Sequence, residues 1–490
     1  MNRIYNHGWH GVTRSFYMLF LFSSVKLREL RGKFLTSRTT PNSLLPAAFF
    51  FLFSVFFAYA QEVEPSRLAT IKFGTETEIA ALIQSLRTEN TDYLDDELAA
   101  LIETTRNQKI LSGVFGFFGD REKTGLEDRA IRAIEERDDE ANETVLSAVE
   151  YLGKVKAAKA SDALMELLDT QERRFMNTAF RALGRTSSVN KEFADKTAEF
   201  LIDFYTNRDP GDDNRREVIT ALGAAGSAKG LPLLVELASN ADERIPLRIA
   251  ALDALSKLGD SGGLDAILAC IGTKDPNVRS AAVAALGPFS GEQVDKAILD
   301  AFRDSYYRTR IAAAQASRDR KLAAAVPYLK FRAERDDVPN VRDEAIRALG
   351  AIADDEAMNA LDGLFAERKN SERVRLISAE MLMKNAAAKN LNRLIAELNE
   401  AKLKNLTSLY NGFLKIIGEA KVAGDTRDME NITRTFLQSG GIMEKLYALD
   451  MAANNNLKGL SEEIKAMTNE KNESLVRKAK RTAEKLGIEI

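Results

Sequence analysis

Residues 275–287 read DPNVRSAAVAALG, and this stretch decides the fold. Asp275 can cap a helix start because its carboxylate accepts free backbone N–H groups, and Pro276 suits the first helical position. The small and apolar residues follow the spacing of one helix face: they are Val278, Ala281, Ala282, Ala285 and Leu286. Gly287 then suits the left-handed residue that ends a helix, and Pro288 prevents continuation.

A second helix is predicted directly after this turn. Ser290, with Gln293 three residues later, forms the pattern of a capping box, in which two side chains satisfy free N–H groups reciprocally. The same apolar spacing then returns, at Val294, Ala297, Ile298, Ala301 and Phe302. The unit is therefore a helix, a tight turn and a second helix, and its alanine-rich first helix lets a neighbour approach closely.

Copies of this unit recur along the chain. Residues 338–350, VPNVRDEAIRALG, are the clearest second copy. Gly350 lies 63 residues after Gly287, which corresponds to two periods of 31 to 32 residues. Between the two copies, Arg310 takes the place of Arg279, and Arg318 stands in the glycine position. Such self-similarity is typical of a helical solenoid.

The turn glycine, or a substitute for it, recurs at intervals of 31 to 39 residues. These positions are Gly119, Gly153, Gly184, Gly223, Ser256, Gly287, Arg318, Gly350, Met383, Gly418 and Ala453, and a last copy lies within 475–487. In the Ser256 copy we expect the first helix to run nearly one turn longer, to Leu258-Gly259. The pattern predicts an all-α chain of about twelve helix-turn-helix repeats.

The pattern Asp-Pro-x-Val-Arg-x-x-Ala-x-x-Ala-Leu-Gly resembles the HEAT repeat in its short bacterial form, the bilin-lyase-type repeat. The resemblance covers residues 105–490 and is weakest at 443–453. It implies a right-handed α-solenoid with first helices on the convex side and second helices on the concave side. It also implies that the recurring arginine pairs with a nearby aspartate. The recurring arginine position is occupied by Arg248, Arg279, Arg342 and Arg375. We interpret these arginines as structural residues of the repeat, as we do Asp275, Gly287 and Gly350.

Residues 1–60 differ from the rest of the chain. They contain seven basic residues and one acidic residue, and a nearly unbroken apolar run, 44–58, is followed by Tyr59-Ala60. A basic start, a short apolar stretch and small residues at its end are typical of a secretory signal peptide. We therefore predict cleavage after Ala60 and an exported protein, periplasmic or secreted. The alternative is an uncleaved anchor, although a spanning helix needs roughly 20 residues.

Two helical patterns, 77–86 and 95–103, precede the repeats. We assign residues 61–105 to helices that cap the array and 106–490 to the solenoid itself. The segment 114–119, VFGFFG, is richer in aromatic residues and glycine than the other copies. We interpret it as part of a divergent terminal unit, and the alternative is a functional hydrophobic loop.

The chain after residue 60 holds 62 basic and 71 acidic residues, a net charge of −9, and neither histidine nor tryptophan. The lack of histidine excludes Ser–His and Cys–His catalysis there, as well as zinc sites built from His and Cys. The one cysteine, Cys270, lies on an apolar helical face, so we expect a buried core residue. We predict no catalytic residue, no metal site and no cofactor.

The segment 303–335 departs from this acidic average, since its nine basic and three acidic residues give a local charge of +6. Five aromatic residues lie in or beside this segment: Phe302, Tyr306, Tyr307, Tyr328 and Phe331. Arg and Tyr are residue types that are enriched in binding hot spots. We predict a partner-binding surface with two clusters at opposite ends of one helix, roughly 12–16 Å apart. The clusters are Tyr306, Tyr307, Arg308 and Arg310 at its start, and Arg318, Arg320 and Lys321 at its end. The alternative is a solvated face with ordinary core aromatics.

The leading hypothesis is an exported, non-catalytic scaffold that binds another protein, one with an acidic surface. The first alternative is an enzyme or enzyme subunit of the bilin-lyase class, which shares this repeat; export counts against it because that chemistry belongs inside the cell. The second alternative is a nucleic-acid-binding solenoid. The net charge of the chain counts against it, because phosphate backbones repel an acidic protein.

Overall fold

In the computed structural model, residues 65–89, 92–208 and 210–490 are described, and they form α-helices and short 3-10 turns without any β-strand. The predicted all-α fold is therefore confirmed for this part of the chain. We number the helices in chain order. Their bounds are α1 Pro65–Phe73, α2 Glu76–Glu89, α3 Asp95–Thr104, α4 Gln108–Asp120, α5 Glu127–Glu135, α6 Asn142–Lys154, α7 Ser161–Asp169, α8 Arg173–Ser187, α9 Lys191–Asn207, α10 Asp212–Ala225, α11 Leu231–Ser239, α12 Ile245–Leu258, α13 Leu264–Ile271, α14 Pro276–Ala285, α15 Glu292–Ala301, α16 Tyr307–Asp319, α17 Val326–Arg335, α18 Pro339–Ile352, α19 Asp355–Ala366, α20 Glu372–Leu403, α21 Thr407–Glu419, α22 Arg427–Ser439, α23 Ile442–Asn454, α24 Ser461–Met467 and α25 Glu473–Leu486.

The chain divides into two compact units. The smaller unit extends to Leu82 and includes residues 92–98, and within it Arg67 donates a hydrogen bond to the Tyr93 hydroxyl over 2.9 Å. The larger unit contains the other described residues, up to the end of the chain. All residues of the predicted binding surface belong to the larger unit.

Helices of the larger unit alternate between two layers. Each first-layer helix packs against the next one, in the order α4, α6, α8, α10, α12, α14, α16, α18, the first part of α20, α21, α23 and α25. The helices between them in the chain form the second layer, and most pack against the first-layer helix that follows. This stacking of helix pairs, each in contact mainly with its neighbours, is that of an α-solenoid. The handedness and the repeat count of about twelve stay predictions, since the end units depart from the pattern.

The start of α14 confirms the predicted start of the repeat. The Asp275 carboxylate accepts hydrogen bonds from the backbone N–H groups of Asn277 and Val278, over 2.8 and 3.0 Å. Pro276 is the first residue of the helix. The predicted apolar face is turned to the core, and its most buried members are Val278, Ala282, Ala285 and Leu286.

The second helix of this unit begins differently from the prediction. Gly291, with a φ of 122°, makes the turn, and α15 begins at Glu292. Glycine adopts such a backbone at little steric cost because it has no Cβ. The predicted capping box of Ser290 and Gln293 is therefore wrong. The apolar face is as predicted, with Val294, Ile298, Ala301 and Phe302 buried.

The recurring glycine is not the left-handed helix end that the sequence predicts. Gly350 lies inside α18, and the left-handed residue is Ala353, with a φ of 56°. Likewise, α10 continues past Gly223 and ends before the left-handed Gly226, with a φ of 74°. Gly287 follows α14 with a φ that is not positive. In α10 and α18 the first helix thus runs about one turn longer than predicted.

The glycines inside the helices permit close approach between first-layer helices. A Cβ placed at Gly223 would lie 2.6 Å from the Cα of Ala254, on α12. At Gly184 it would lie 2.7 Å from the carbonyl oxygen of Ala221, on α10. Side chains do not approach backbone atoms so closely, so alanine at either position would force two neighbouring helices apart.

Two other predicted helix ends have different outcomes. α12 ends at Leu258, and Gly259 follows it with a φ of 63°, so the longer first helix of that copy is confirmed. At the Met383 copy the first helix ends at a kink and not at a left-handed turn. The backbone leaves the helical conformation at Ala386, three residues after Met383, with φ −148° and ψ 55°. The range given for α20 therefore joins a first and a second helix across this kink.

The N-terminal helical patterns are confirmed as α2 and α3, whereas α1 was not predicted. Segment 114–119 lies inside α4 with all four of its large apolar side chains buried, so the hydrophobic-loop alternative is wrong. The predicted signal peptide, 1–60, and the cleavage site after Ala60 lie outside the described residues. Within the described ranges, no helix has the length and apolar content needed to cross a membrane.

Candidate functional site

The arginine that recurs in the first helices is held by hydrogen bonds to acceptors that are partly or fully buried. In α14, Nε and Nη2 of Arg279 donate to the two carboxylate oxygens of Asp304, over 2.8 and 3.0 Å. Burial would raise the pKa of Asp304, but the hydrogen bonds from Arg279 and from the Tyr306 N–H outweigh it and hold this pKa below its ordinary value. Two-point contacts between guanidinium and carboxylate are strong and directional. The Arg–Asp pairing implied by the resemblance is confirmed at Arg279.

Arg310 belongs to this structural series and not to the exposed surface on which it was predicted. Its Nε and Nη2 each donate to Asp336 over 2.7 Å, and the two side chains are 7% and 0% exposed. Burial would raise the pKa of Asp336, but the Arg310 guanidinium and the Val338 N–H hold it below its ordinary value. Arg310 is therefore out of a partner's reach, because its repeat position faces inward as that of Arg279 does.

The other arginines of the series find different acceptors. Arg248 and Arg342 donate to backbone carbonyl oxygens, over 3.1 and 2.6 Å. Arg375 donates to the Phe365 carbonyl oxygen over 3.3 Å, near the end of α19, and to the carboxylate of Glu397 over 2.6 Å. Pairing with an aspartate carboxylate therefore does not extend to these three residues, although each of them satisfies an acceptor near the end of a helix.

The first predicted cluster lies at the start of α16. The Tyr306 hydroxyl donates to Oδ1 of Asn277 over 2.9 Å, which ties the cluster to α14. The rings of Tyr306 and Tyr307 meet edge to face, with centroids 5.4 Å apart. Arg308 is exposed, and a hydrogen bond of 3.2 Å from its Nε to the Tyr307 hydroxyl raises the pKa of its guanidinium. Of this cluster, Arg308 is the cation that a partner can reach.

The second predicted cluster lies at the end of α16. Arg318 pairs with Glu344 and Asp319, and Arg320 pairs with Asp295. Lys321 is exposed and adopts the left-handed backbone, with a φ of 49°. Because α16 has 13 residues, its ends are about 20 Å apart, farther than predicted. The two clusters do lie at opposite ends of one helix, but they leave few charges free.

An apolar groove at the end of α15 and along α17 was not predicted as a site. We call it the aromatic–arginine groove; it has a volume of about 290 Å³ and is lined by Phe302, Arg303, Pro327, Tyr328, Phe331 and Arg332. Phe331 is 52% exposed. The sequence held a signal for this, since Phe331 lies off the apolar stripe of α17, which buries Val326, Leu329 and Ala333.

A guanidinium group lies near each of two aromatic rings of this groove. The guanidinium carbon of Arg303 lies 5.3 Å from the ring centroid of Tyr328, and that of Arg332 lies 5.4 Å from the ring centroid of Phe331. Both distances are within the range of cation–π contacts. Arg303 also donates to the Asp300 carboxylate over 2.8 Å. The groove thus combines exposed aromatic surface with positive charge.

Four basic residues of segment 303–335 pair with no carboxylate of the described chain, and all four are exposed. We call them the free cations: Arg308, Lys321, Lys330 and Arg335. No carboxylate among the described residues neutralises their charges, so they attract an anionic partner more strongly than the paired arginines do. Two of them, Lys330 and Arg335, lie on the helix that carries Phe331.

Little else in the described residues suggests chemistry. Cys270 is buried, as predicted, its thiol donates to the Ala238 carbonyl oxygen over 3.3 Å, and burial raises its pKa. A thiol with a raised pKa is a poor nucleophile. In the part of the chain that the structure describes, no three His, Cys, Asp or Glu residues are grouped closely enough to hold a metal ion.

Solved structures similar to this chain include those of Kap121p and of a phycocyanin lyase complex. Kap121p matches with 13% identity and a TM-score of 0.42, over 86% of this chain and 53% of that chain. The complex of CpcE and CpcF of phycocyanin lyase from Nostoc sp. PCC7120 matches with 16% identity and a TM-score of 0.30, over 59% of this chain and 94% of that chain. The chain spans about half the length of the Kap121p structure. At identities this low, these matches bear on the fold and not on the function.

Sequence comparisons give a more specific result. None of the curated proteins matches the chain. A family model described as "Spirochaete HEAT repeat protein" matches residues 71–482, which is most of the chain and includes the whole candidate site. The chain therefore belongs to the spirochaete HEAT repeat family.

Proposed function

We propose that this protein is an exported, non-catalytic scaffold that binds an acidic surface of another protein through the helices α15 to α17. One observation carries the proposal: exposed aromatic surface at Phe331 lies beside free cations in a chain whose net charge is otherwise negative. Aromatic residues and arginine supply most of the energy in protein interfaces. A charge complementary to that of the partner adds association rate and specificity.

A capture experiment tests this proposal. The tagged protein is incubated with envelope extract at low salt, where contacts between charges are strongest, and retained proteins are quantified by mass spectrometry. Variants at Arg318 and Arg320 are unsuitable because they also break internal ion pairs. The test variant is Lys330→Glu combined with Arg335→Glu, which changes free cations only.

Helix α25 offers a matched control, Lys480→Glu combined with Lys485→Glu. These two lysines are also five residues apart and exposed on one helix. We expect the test variant to retain its main partner at least tenfold less than the parent does, and the control to retain it equally. Equal retention by the test variant and the parent contradicts the proposed surface. Retention of nucleic acid in place of protein contradicts the proposed class of partner.

Export is the second part of the proposal, and it rests on the pattern of residues 1–60. N-terminal sequencing of the protein from cells should give a chain that begins at Gln61 or within a few residues of it. Recovery in the periplasmic or secreted fraction is the companion measurement. A mature chain that keeps residues 44–58 would identify an anchor, and a full-length chain in the cytosol would contradict export.

A further inference from the structure

We propose that the aromatic–arginine groove takes a single aromatic side chain from an acidic polypeptide segment. This inference rests on the proposed function, because it concerns the same surface. It adds the chemistry of the partner: one aromatic residue flanked by carboxylates. The argument uses the size of the groove, its apolar walls, the fixed position of its arginines and the charges around it.

The volume of the groove suits one side chain. A cavity of about 150 Å³ lined by apolar groups binds benzene. The groove has about 290 Å³ and is open on one side, so it accommodates an aromatic ring together with the start of its side chain.

The walls present apolar surface that water covers when no partner is bound. Phe331 is 52% exposed, and Pro327 beside it is also exposed. Tyr328 is half-buried and stacks on Phe302, with ring centroids 5.7 Å apart and planes 27° apart. Aromatic pairs with offset or edge contacts add stabilisation beyond the burial of area. An aromatic ring inserted here would meet aromatic partners and cover the exposed face of Phe331.

Both arginines of the groove already make hydrogen bonds, and Arg332 is the one held in position. Nη2 of Arg332 donates to the carbonyl oxygen of Phe302, and its Nη1 lies 3.3 Å from the Asp336 carboxylate. Arg303 donates to Asp300 over 2.8 Å, but both side chains of this pair are exposed, so Arg303 is less firmly held. A guanidinium carries five N–H donors, so each of these arginines keeps donors for a carboxylate of the partner. Donors that are fixed before binding lose less side-chain entropy on binding.

The charges around the groove select the flanks of the bound segment. Lys330 and Arg335 are exposed and unpaired among the described residues, whereas the exposed acid on the same helix is Glu334. Asp300 is already paired with Arg303. The remaining charge is positive, so carboxylates on either side of the inserted ring are attracted, and lysines there are repelled.

Short labelled peptides test this inference without knowledge of the natural partner. The first carries one central tryptophan between runs of glutamate, the second has alanine in place of tryptophan, and the third keeps tryptophan between runs of lysine. Binding of each to the whole protein is followed by fluorescence anisotropy at low salt. We expect the first peptide to bind about tenfold more tightly than the second, a typical effect of one buried aromatic anchor, and the third not to bind.

Variants of the protein assign this preference to the groove. Phe331→Ala should lower the affinity for the tryptophan peptide about tenfold and leave the weak binding of the alanine peptide unchanged. The control is Phe73→Ala, which removes another exposed phenylalanine, 86% exposed, from a distant part of the sequence. It should change neither affinity. Circular dichroism checks that both variants keep their helical content.

The outcomes separate this inference from the proposed function. Equal binding of the tryptophan and alanine peptides, or no binding of any peptide, overturns the inference about the groove. Capture of a protein partner that depends on Lys330 and Arg335 but not on Phe331 overturns it too, and leaves the proposed function standing. A single-stranded DNA of equal charge that binds more tightly than the tryptophan peptide, and loses affinity in Phe331→Ala, identifies a site for nucleotide bases instead.

Discussion

Replacement of Gly223 by alanine should destabilise the protein, although alanine is the better helix former. Gly223 lies inside α10, where a glycine costs about 1 kcal/mol relative to alanine. At a position where the added methyl group met no other atoms, this change would therefore raise the free energy of unfolding. At Gly223, however, the new Cβ would lie 2.6 Å from both Cα and Cβ of Ala254 and 3.2 Å from its carbonyl oxygen.

The magnitude follows from this contact. Carbon atoms pack best at about 3.5–4.0 Å, so α10 and α12 must separate by about 1 Å for the methyl group to fit. The atoms in the way belong to the backbone and the short side chain of Ala254, and neither can rotate aside. Overpacking of this kind typically costs 1–3 kcal/mol, against a gain of about 1 kcal/mol in helix propensity. Because the clash is with backbone atoms of a neighbouring helix, we expect a cost in the upper part of this range, and Gly223→Ala should lower the free energy of unfolding by about 1–2 kcal/mol.

Two alanine variants serve as controls. A Cβ at Gly287 would meet only the Ala284 carbonyl oxygen, at 3.7 Å, so Gly287→Ala should be neutral or stabilising by up to about 1 kcal/mol. Gly350→Ala is an intermediate case, because a Cβ there would lie 2.6 and 2.7 Å from Sδ and Cγ of Met381, which can move, but also 2.8 Å from its Cβ, which cannot. Gly350→Ala should therefore cost more than Gly287→Ala and less than Gly223→Ala.

Urea unfolding, followed by far-ultraviolet circular dichroism, gives the midpoint for each variant. Stacked repeats do not always unfold in one step, so the midpoint of the first transition is compared as well. A Gly223→Ala variant as stable as Gly287→Ala would refute the close-approach reasoning. It would mean that α10 and α12 are not held apart by the side chain at this position, so that the close approach at Gly223 does not require glycine.

Three further changes test the packing, the buried ion pair and the helix ends. Leu349→Ala removes a fully buried side chain and should cost about 2–5 kcal/mol; a loss below roughly 0.5 kcal/mol would mean that this residue does not pack in the core. Arg310→Met leaves the Asp336 carboxylate buried without its partner and should cost about 3–5 kcal/mol at neutral pH. Because the pKa of Asp336 is lowered in the folded protein, the stability from this pair is present at neutral pH and lost as the pH falls below about 4. Urea titrations at neutral pH and below pH 4 should therefore show that acid lowers the free energy of unfolding less in the variant than in the parent. An equal decrease in both proteins would contradict the pairing. Lys321→Gly relieves a left-handed backbone and should raise the midpoint of thermal unfolding, whereas a lower midpoint would show that the lysine side chain stabilises the turn.

The positions of the helix ends show which local features the sequence predicts correctly and which it does not. The spacing of apolar residues places the helices correctly, but the predicted ends are about one turn early in several copies. The left-handed residue is found three positions after the predicted one, at Lys156, Gly226, Lys321 and Ala353. A glycine that follows an apolar helix pattern signals a helix end on local grounds. Only the position of the neighbouring helix shows that the same glycine is a contact point.

The candidate site could be predicted only in part. The sequence indicates the basic, aromatic segment because composition is visible without a structure. It could not show that Arg318 and Arg320 pair with Glu344 and Asp295, which lie 26 and 25 residues away in the chain. It also could not show which aromatic residues remain exposed, since the exposure of Phe331 depends on how the end of α15 and helix α17 lie together.

The sequence by itself determined the all-α fold, the repeat and the position of most helices, because these follow from spacing of apolar residues and from local helix signals that act over a few residues. The tertiary structure alone decided which charges are free and which surface is open. Those properties depend on contacts between residues that are far apart in the chain. Arg310 and Lys330 illustrate the difference: both are basic residues in one segment, yet one is buried against Asp336 and the other is exposed to solvent.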